Sequence, residues 1–102
     1  MQFQLRVYRA KPGRLDDFVR EWTEHVLPLR LLFGFSVLGP WVAEEDGLFV
    51  WILAHDGDWA AADDAYHSSP QCRGIDPDPA RHLEETRHTL MRAPAPARAP
   101  DP

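Results

Sequence analysis

The chain has 102 residues, 11 of them basic and 16 acidic, for a net charge of −5. That balance argues against a nucleic-acid partner, since phosphate recognition needs concentrated positive charge, and no stretch has the apolar length of a membrane span. A domain this small buries only about two thirds of its unfolded surface, so any partner that covers more adds to its stability. The single cysteine, Cys72, cannot close an internal disulfide, which fits a reducing compartment. Met1–Arg9 alternates where a secretory leader would not. The expectation is a soluble, cytoplasmic protein.

Met1–Arg9 places Phe3, Leu5 and Val7 on one face and Gln2, Gln4, Arg6 and Tyr8 on the other, the period of a strand. Lys11-Pro12-Gly13 breaks it. Leu15, Phe18, Val19, Trp22, Val26 and Leu29 then recur at helical spacing, with Asp16 and Asp17 suited to the positive end of the helix dipole. Pro28 lacks an amide hydrogen, which predicts a kink or a tightened last stretch. Gly34 is the natural terminator.

Phe35–Glu44 and Leu48–His55 give a hairpin signal around Glu45-Asp46-Gly47. Pro40 cannot donate a ladder hydrogen bond, so the first of these strands belongs at a sheet edge. The second, LFVWILAH, is apolar at nearly every position, so both its faces call for cover. Asp58 is placed to cap a helix carrying Trp59, Ala62 and Tyr66, and Ser69-Pro70 to start a short helical turn. Asp78-Pro79 caps a further turn around Ala80–Glu84. Thr86–Arg92 reads as a last strand, with a continued helix as the alternative. Ala93–Pro102 is rich in Pro and Ala and reads as a disordered tail.

The order β-α-β-β-α-β is the split pattern of an α+β, ferredoxin-like subunit: an antiparallel sheet with helices on one face. Residues 1–92 make the domain and 93–102 the tail. The sheet face without helices still needs cover, and a second copy set sheet against sheet supplies it. A homodimer follows from the patterning.

Several motifs in order along residues 3–92 resemble the NIPSNAP-like branch of the dimeric α+β barrel superfamily. They include Arg6-Val7-Tyr8 before Lys11-Pro12-Gly13, Trp22 before Val26-Leu27-Pro28-Leu29-Arg30, Phe33-Gly34-Phe35 and Gly39-Pro40-Trp41. Phe49-Val50-Trp51-Ile52-Leu53, Ala65-Tyr66, Ser69-Pro70 and Pro77-Asp78-Pro79 continue the series. The resemblance implies a ferredoxin-like subunit that dimerises through its sheets. It leaves the activity open, because the wider superfamily includes cofactor-free monooxygenases, haem-handling proteins, cyclases and isomerases, and small stress-response proteins.

Polar residues among apolar neighbours are the candidates for chemistry, because burying a charge is costly unless it is paired or serves a ligand. Arg6 and Tyr8 share a strand face; the structural alternative for Arg6 is a carboxylate partner at an interface. His25 and Arg30 lie near the end of the long helix. Arg30 suits an anion or enolate and His25 a proton transfer near neutrality, while capping of the helix terminus explains both without chemistry. Trp22, Trp41, Trp51 and Tyr66 are candidate walls for a flat apolar ligand, or plain core. His55, ending its strand before a turn, is a candidate at a cavity mouth. The five histidines make no HxH, HExxH or CxxC pattern, so neither a metal nor another cofactor is expected. Cys72 reads as an ordinary thiol. The leading reading is a small-molecule-binding protein that acts as a cofactor-independent monooxygenase, isomerase or cyclase on an aromatic or polyketide-like substrate. The competing reading is a non-catalytic ligand-sensing or interaction module acting through its dimer surface.

Overall fold

The computed structural model describes residues 1–94. In chain order these form β1 (Gln2–Ala10), α1 (Leu15–Glu21), a π turn (Trp22–Val26), α2 (Leu27–Leu32), β2 (Ser36–Ala43), β3 (Leu48–His55), α3 (Trp59–Ser68), α4 (Pro70–Arg73) and β4 (Leu83–Met91). The strands make one antiparallel sheet in the order β2-β3-β1-β4, with helices on one face. This is the α+β, ferredoxin-like arrangement that the sequence pattern predicts. Of the Pro-rich tail, residues 95–102 lie outside the described residues.

The local signals behave as their chemistry requires. Asp58 accepts from the Ala61 amide at 3.0 Å to start α3, and Ser69 accepts from the Cys72 amide at 3.1 Å to start α4. Asp78 accepts from the Ala80 amide at 2.9 Å and opens a tight turn, Pro79–His82, which stops short of the predicted Ala80–Glu84 because β4 begins at Leu83. The continued helix considered for Thr86–Arg92 is not formed. Gly34 takes φ 86 after α2. Gly47, at φ 65, closes the hairpin after a turn at Glu44–Asp46. Pro40 lies in β2, which is an outer strand, beside an irregularity between Leu38 and Trp41.

Pro28 acts differently from expectation. A proline in a helix lacks its own donor and crowds the carbonyl four residues back. The chain answers with one wide turn just before it, where the Leu27 amide donates to the Trp22 carbonyl five positions back. The helix is loosened at this point rather than tightened. The consequence is rotational: in an uninterrupted α-helix, Trp22 and Arg30 would stand about 80° apart around the axis. The extra residue in the wide turn cuts that to roughly 20°. Both side chains are buried, at 1% exposure each.

The core lies between sheet and helices. Phe49, Trp51 and Leu53 of β3 meet Phe18, Trp22 and Leu29 of the long helix there, with Tyr8 and Tyr66 in the same cluster. The opposite sheet face carries Phe3, Leu5 and Val7 of β1 beside Ala54, Ile52 and Val50 of β3. Leu38 and Trp41 of β2 continue the row and are 45% and 54% exposed. Phe18, Trp22, Leu29 and Tyr66 belong to the helix layer, so the apolar face of β1 is the one that no helix covers.

Candidate functional site

The antiparallel register decides which side chains meet. Arg6 at the middle of β1 pairs with Trp51 of β3 on one side and His88 of β4 on the other. Tyr8, two residues on, pairs with Phe49 and Thr86. All of these stand on the helix side of the sheet, where residues two apart share a face. Above them the helix layer contributes Trp22 and Arg30, and α3 contributes Tyr66. With Arg6, Tyr8, Trp51, Thr86 and His88 of the sheet these line a chamber of about 510 Å³, a size in the range of small-molecule sites.

Tyr8, Phe18, Trp22, Trp51 and Tyr66 contribute aromatic rings to its wall. Trp22 and Trp51 meet edge to face with centroids 5.1 Å apart, and Tyr8 meets Trp51 edge to face at 6.3 Å. The two arginines are held differently. The Arg30 guanidinium carbon sits over the Tyr66 ring at 3.6 Å and over that of Phe35 at 4.8 Å. It donates to Asp63 Oδ1 at 2.9 Å. Arg6 donates through Nε to Gln4 Oε1 at 2.7 Å and through Nη1 to the Tyr8 hydroxyl at 3.2 Å. Its guanidinium carbon sits 5.2 Å from the Trp51 ring centre.

Burial pushes the Tyr66 hydroxyl up to about 12, against the pull of the Arg30 charge, so this phenol stays protonated near neutrality. His88 is exposed on β4; partial desolvation, then the charges of Arg6 and Arg30, lower the pKa of its imidazole from the ordinary range, so the neutral form predominates at pH 7. Its ring lies 5.9 Å from that of Tyr8.

Of the residues singled out in the sequence, Arg6, Tyr8, Trp22, Arg30, Trp51 and Tyr66 line this chamber. Three others stand elsewhere. His25 is half exposed beside Glu24, on a separate surface groove with Pro28 and Leu32, because the wide turn carries it to the outer side of the helix. Trp41 lies on the helix-free face opposite Val50. His55 faces Phe35 at 5.0 Å and accepts the Gly57 amide at 2.9 Å. His88 was not singled out for chemistry by the sequence. Its place depends on the non-local pairing of β4 with β1, and the only available signal was a histidine in a short alternating run. Among the described residues no cluster of three or more His, Cys, Asp or Glu is placed to hold a metal, and no helix is long and apolar enough to cross a membrane.

No family model and no curated protein matches the chain. Among solved structures, a NIPSNAP domain protein from Burkholderia xenovorans superposes with a TM-score of 0.82 at 23% identity, over 99% of this chain and 100% of that one. A NIPSNAP family protein of unknown function from Agrobacterium tumefaciens gives 0.78 at 19% identity, over 89% and 86%. A protein described as an antibiotic biosynthesis monooxygenase gives 0.64 at 21% identity, over 91% and 98%. The chain has the fold of the NIPSNAP domain proteins.

Proposed function

We propose that the chain is a NIPSNAP-like protein that binds a flat small molecule between sheet and helices, one in each subunit of a homodimer. The observation that carries the reading is the chamber itself. It combines aromatic walls with two buried arginines and a histidine, and the buried charges are what a plain core does not call for. The homodimer rests on the row Phe3, Leu5, Val50, Ile52, Leu38 and Trp41, an apolar face that no element of the described chain covers.

As an enzyme it works without a cofactor. His88 takes a proton from a carbon next to a carbonyl, and an arginine holds the resulting enolate oxygen. Return of the proton to another carbon is an isomerisation, attack of the carbanion within the same molecule a cyclisation, and reaction with O2 an oxygenation. This assignment moves the proton transfer from His25 to His88 and keeps Arg30 in the site. The second reading, a non-catalytic ligand-sensing or interaction module, is favoured by the same exposed face, at which Trp41 is 54% exposed.

The test is a tryptophan-fluorescence titration with aromatic acids and polyketide fragments, followed by product analysis under air and under nitrogen. A ligand that changes the emission of the wild type, and changes it less in Trp51→Phe, supports the chamber as the binding site. Product formed only under air identifies oxygenation, product under both gases identifies isomerisation or cyclisation, and binding without product selects the sensing module. A panel that leaves emission and melting temperature unmoved overturns the reading.

A further inference from the structure

We infer that the ligand of this chamber is an aromatic carboxylate, and that Arg6 is the residue that takes its charge. The inference rests on the proposal that the chamber binds a small molecule and adds the class of that molecule.

The two buried arginines differ in whether their charge is already answered. Arg30 has Asp63 at 2.9 Å and the Tyr66 ring beneath it; it is a fixed wall with a counter-charge. Arg6 is only 8% exposed, yet among the described residues it takes part in no ion pair. Its hydrogen-bond acceptors, the Gln4 amide oxygen and the Tyr8 hydroxyl, are both neutral. A buried guanidinium with only neutral acceptors is an expensive arrangement unless an anion completes it. His88, its neighbour across β4, cannot do so, since an imidazole is neutral or positive.

Nothing else in the lining answers the charge: Asp78, the one carboxylate among the chamber's described lining residues, accepts from the Ala80 amide instead. The exposed Arg73 and Asp78 at its edge contribute one charge of each sign, so they leave the excess of positive charge inside unchanged. A planar guanidinium matches a carboxylate in two parallel hydrogen bonds. Arg6 also faces the helix layer, so a second copy packed on the opposite sheet face does not provide its counter-ion.

The experiment compares 2-naphthoate with 2-naphthamide, equal in shape and different in charge, by calorimetric titration of the full chain at pH 7. The wild type is expected to bind the acid at least about ten-fold more tightly than the amide, the worth of one charge-assisted pair. In Arg6→Gln and Arg6→Met, each checked for folding by its melting curve, the acid loses that advantage while the amide binds as before. Arg6→Lys, which keeps the charge and loses the planar fork, retains part of it. Equal binding of both probes to the wild type overturns the carboxylate inference and leaves the chamber standing as a binding site. An advantage that survives in Arg6→Gln and Arg6→Met overturns the role of Arg6. Failure of both probes to bind overturns the inference and the proposed chamber together.

Discussion

Glu21 and His82, 61 positions apart, meet at 2.7 Å between Oε2 and Nε2. The same carboxylate takes both ends of the Arg81 guanidinium, at 2.6 and 2.9 Å. The long helix is thereby tied to the turn that launches β4, and β4 carries His88 into the chamber. The Arg81 hydrogen bonds, then that of His82, hold the Glu21 carboxyl well below its ordinary 4.5, at about 2.

A group whose folded-state pKa is depressed adds stability above its unfolded value and loses it as pH falls toward the folded one. The contribution of Glu21 is therefore full above about pH 4.5 and fades between there and about 2. Glu21→Gln is expected to lower the melting midpoint at pH 7 by about 5 °C, less than the shift alone implies because Arg81 is exposed and screened. The gap between variant and wild type should close progressively in melts taken from pH 5 downward. A gap that stays constant with pH would show that the carboxylate adds no charge-dependent stability.

Trp22→Ala removes a side chain that is 1% exposed and touches both Phe49 and Trp51. The expected cost is about 3–5 kcal/mol in urea unfolding, a large part of the stability of a domain this size. Trp22→Phe keeps most of the volume and should cost far less.

Ile52→Lys places a charge at the centre of the helix-free sheet face. Light scattering is expected to give a dimer for the wild type and a monomer for this variant, with chamber ligands still bound. A wild-type monomer at micromolar concentration would remove the sheet-to-sheet pairing.

His88→Gln is expected to abolish turnover by proton transfer while leaving ligand binding within about two-fold, whereas His25→Gln should leave both unchanged. The working form of His88 is the neutral imidazole, and its pKa lies below the ordinary 6.5. Activity should therefore hold through neutral pH and fall only in the acid range below that value. A pH–rate profile with its acid limb above 6.5 would assign the base to another group.

What the sequence disclosed and what it withheld divide along the range of the interactions. The strand period of Met1–Arg9, the capping residues Asp58, Ser69 and Asp78, and the hairpin at Gly47 are local, and each acts within a few residues of itself. The pairing of Arg6 with Tyr8 on one face was readable from the period of two. Which layer that face would meet was not, because it depends on where the helices dock. His88 was invisible as a partner of Arg6 because the register of β4 on β1 joins opposite ends of the domain. Trp41 and Trp51 look alike in sequence, yet their strands aim them to opposite sides of the sheet.

The single loose turn at Trp22–Val26 bears on how this chain tolerates shortening. A loop can lose a residue anywhere and close up again, whereas this helix can do so only at that turn. Deleting one residue within the loose turn would restore a regular spiral and keep Arg30 on its bearing, since seven regular steps end where these eight do. Tightening the turn with every residue kept would instead swing Arg30 by about a quarter of a circle, taking the guanidinium off Tyr66 and away from Asp63. The full-length helix made regular would be the one that had lost its place in the site.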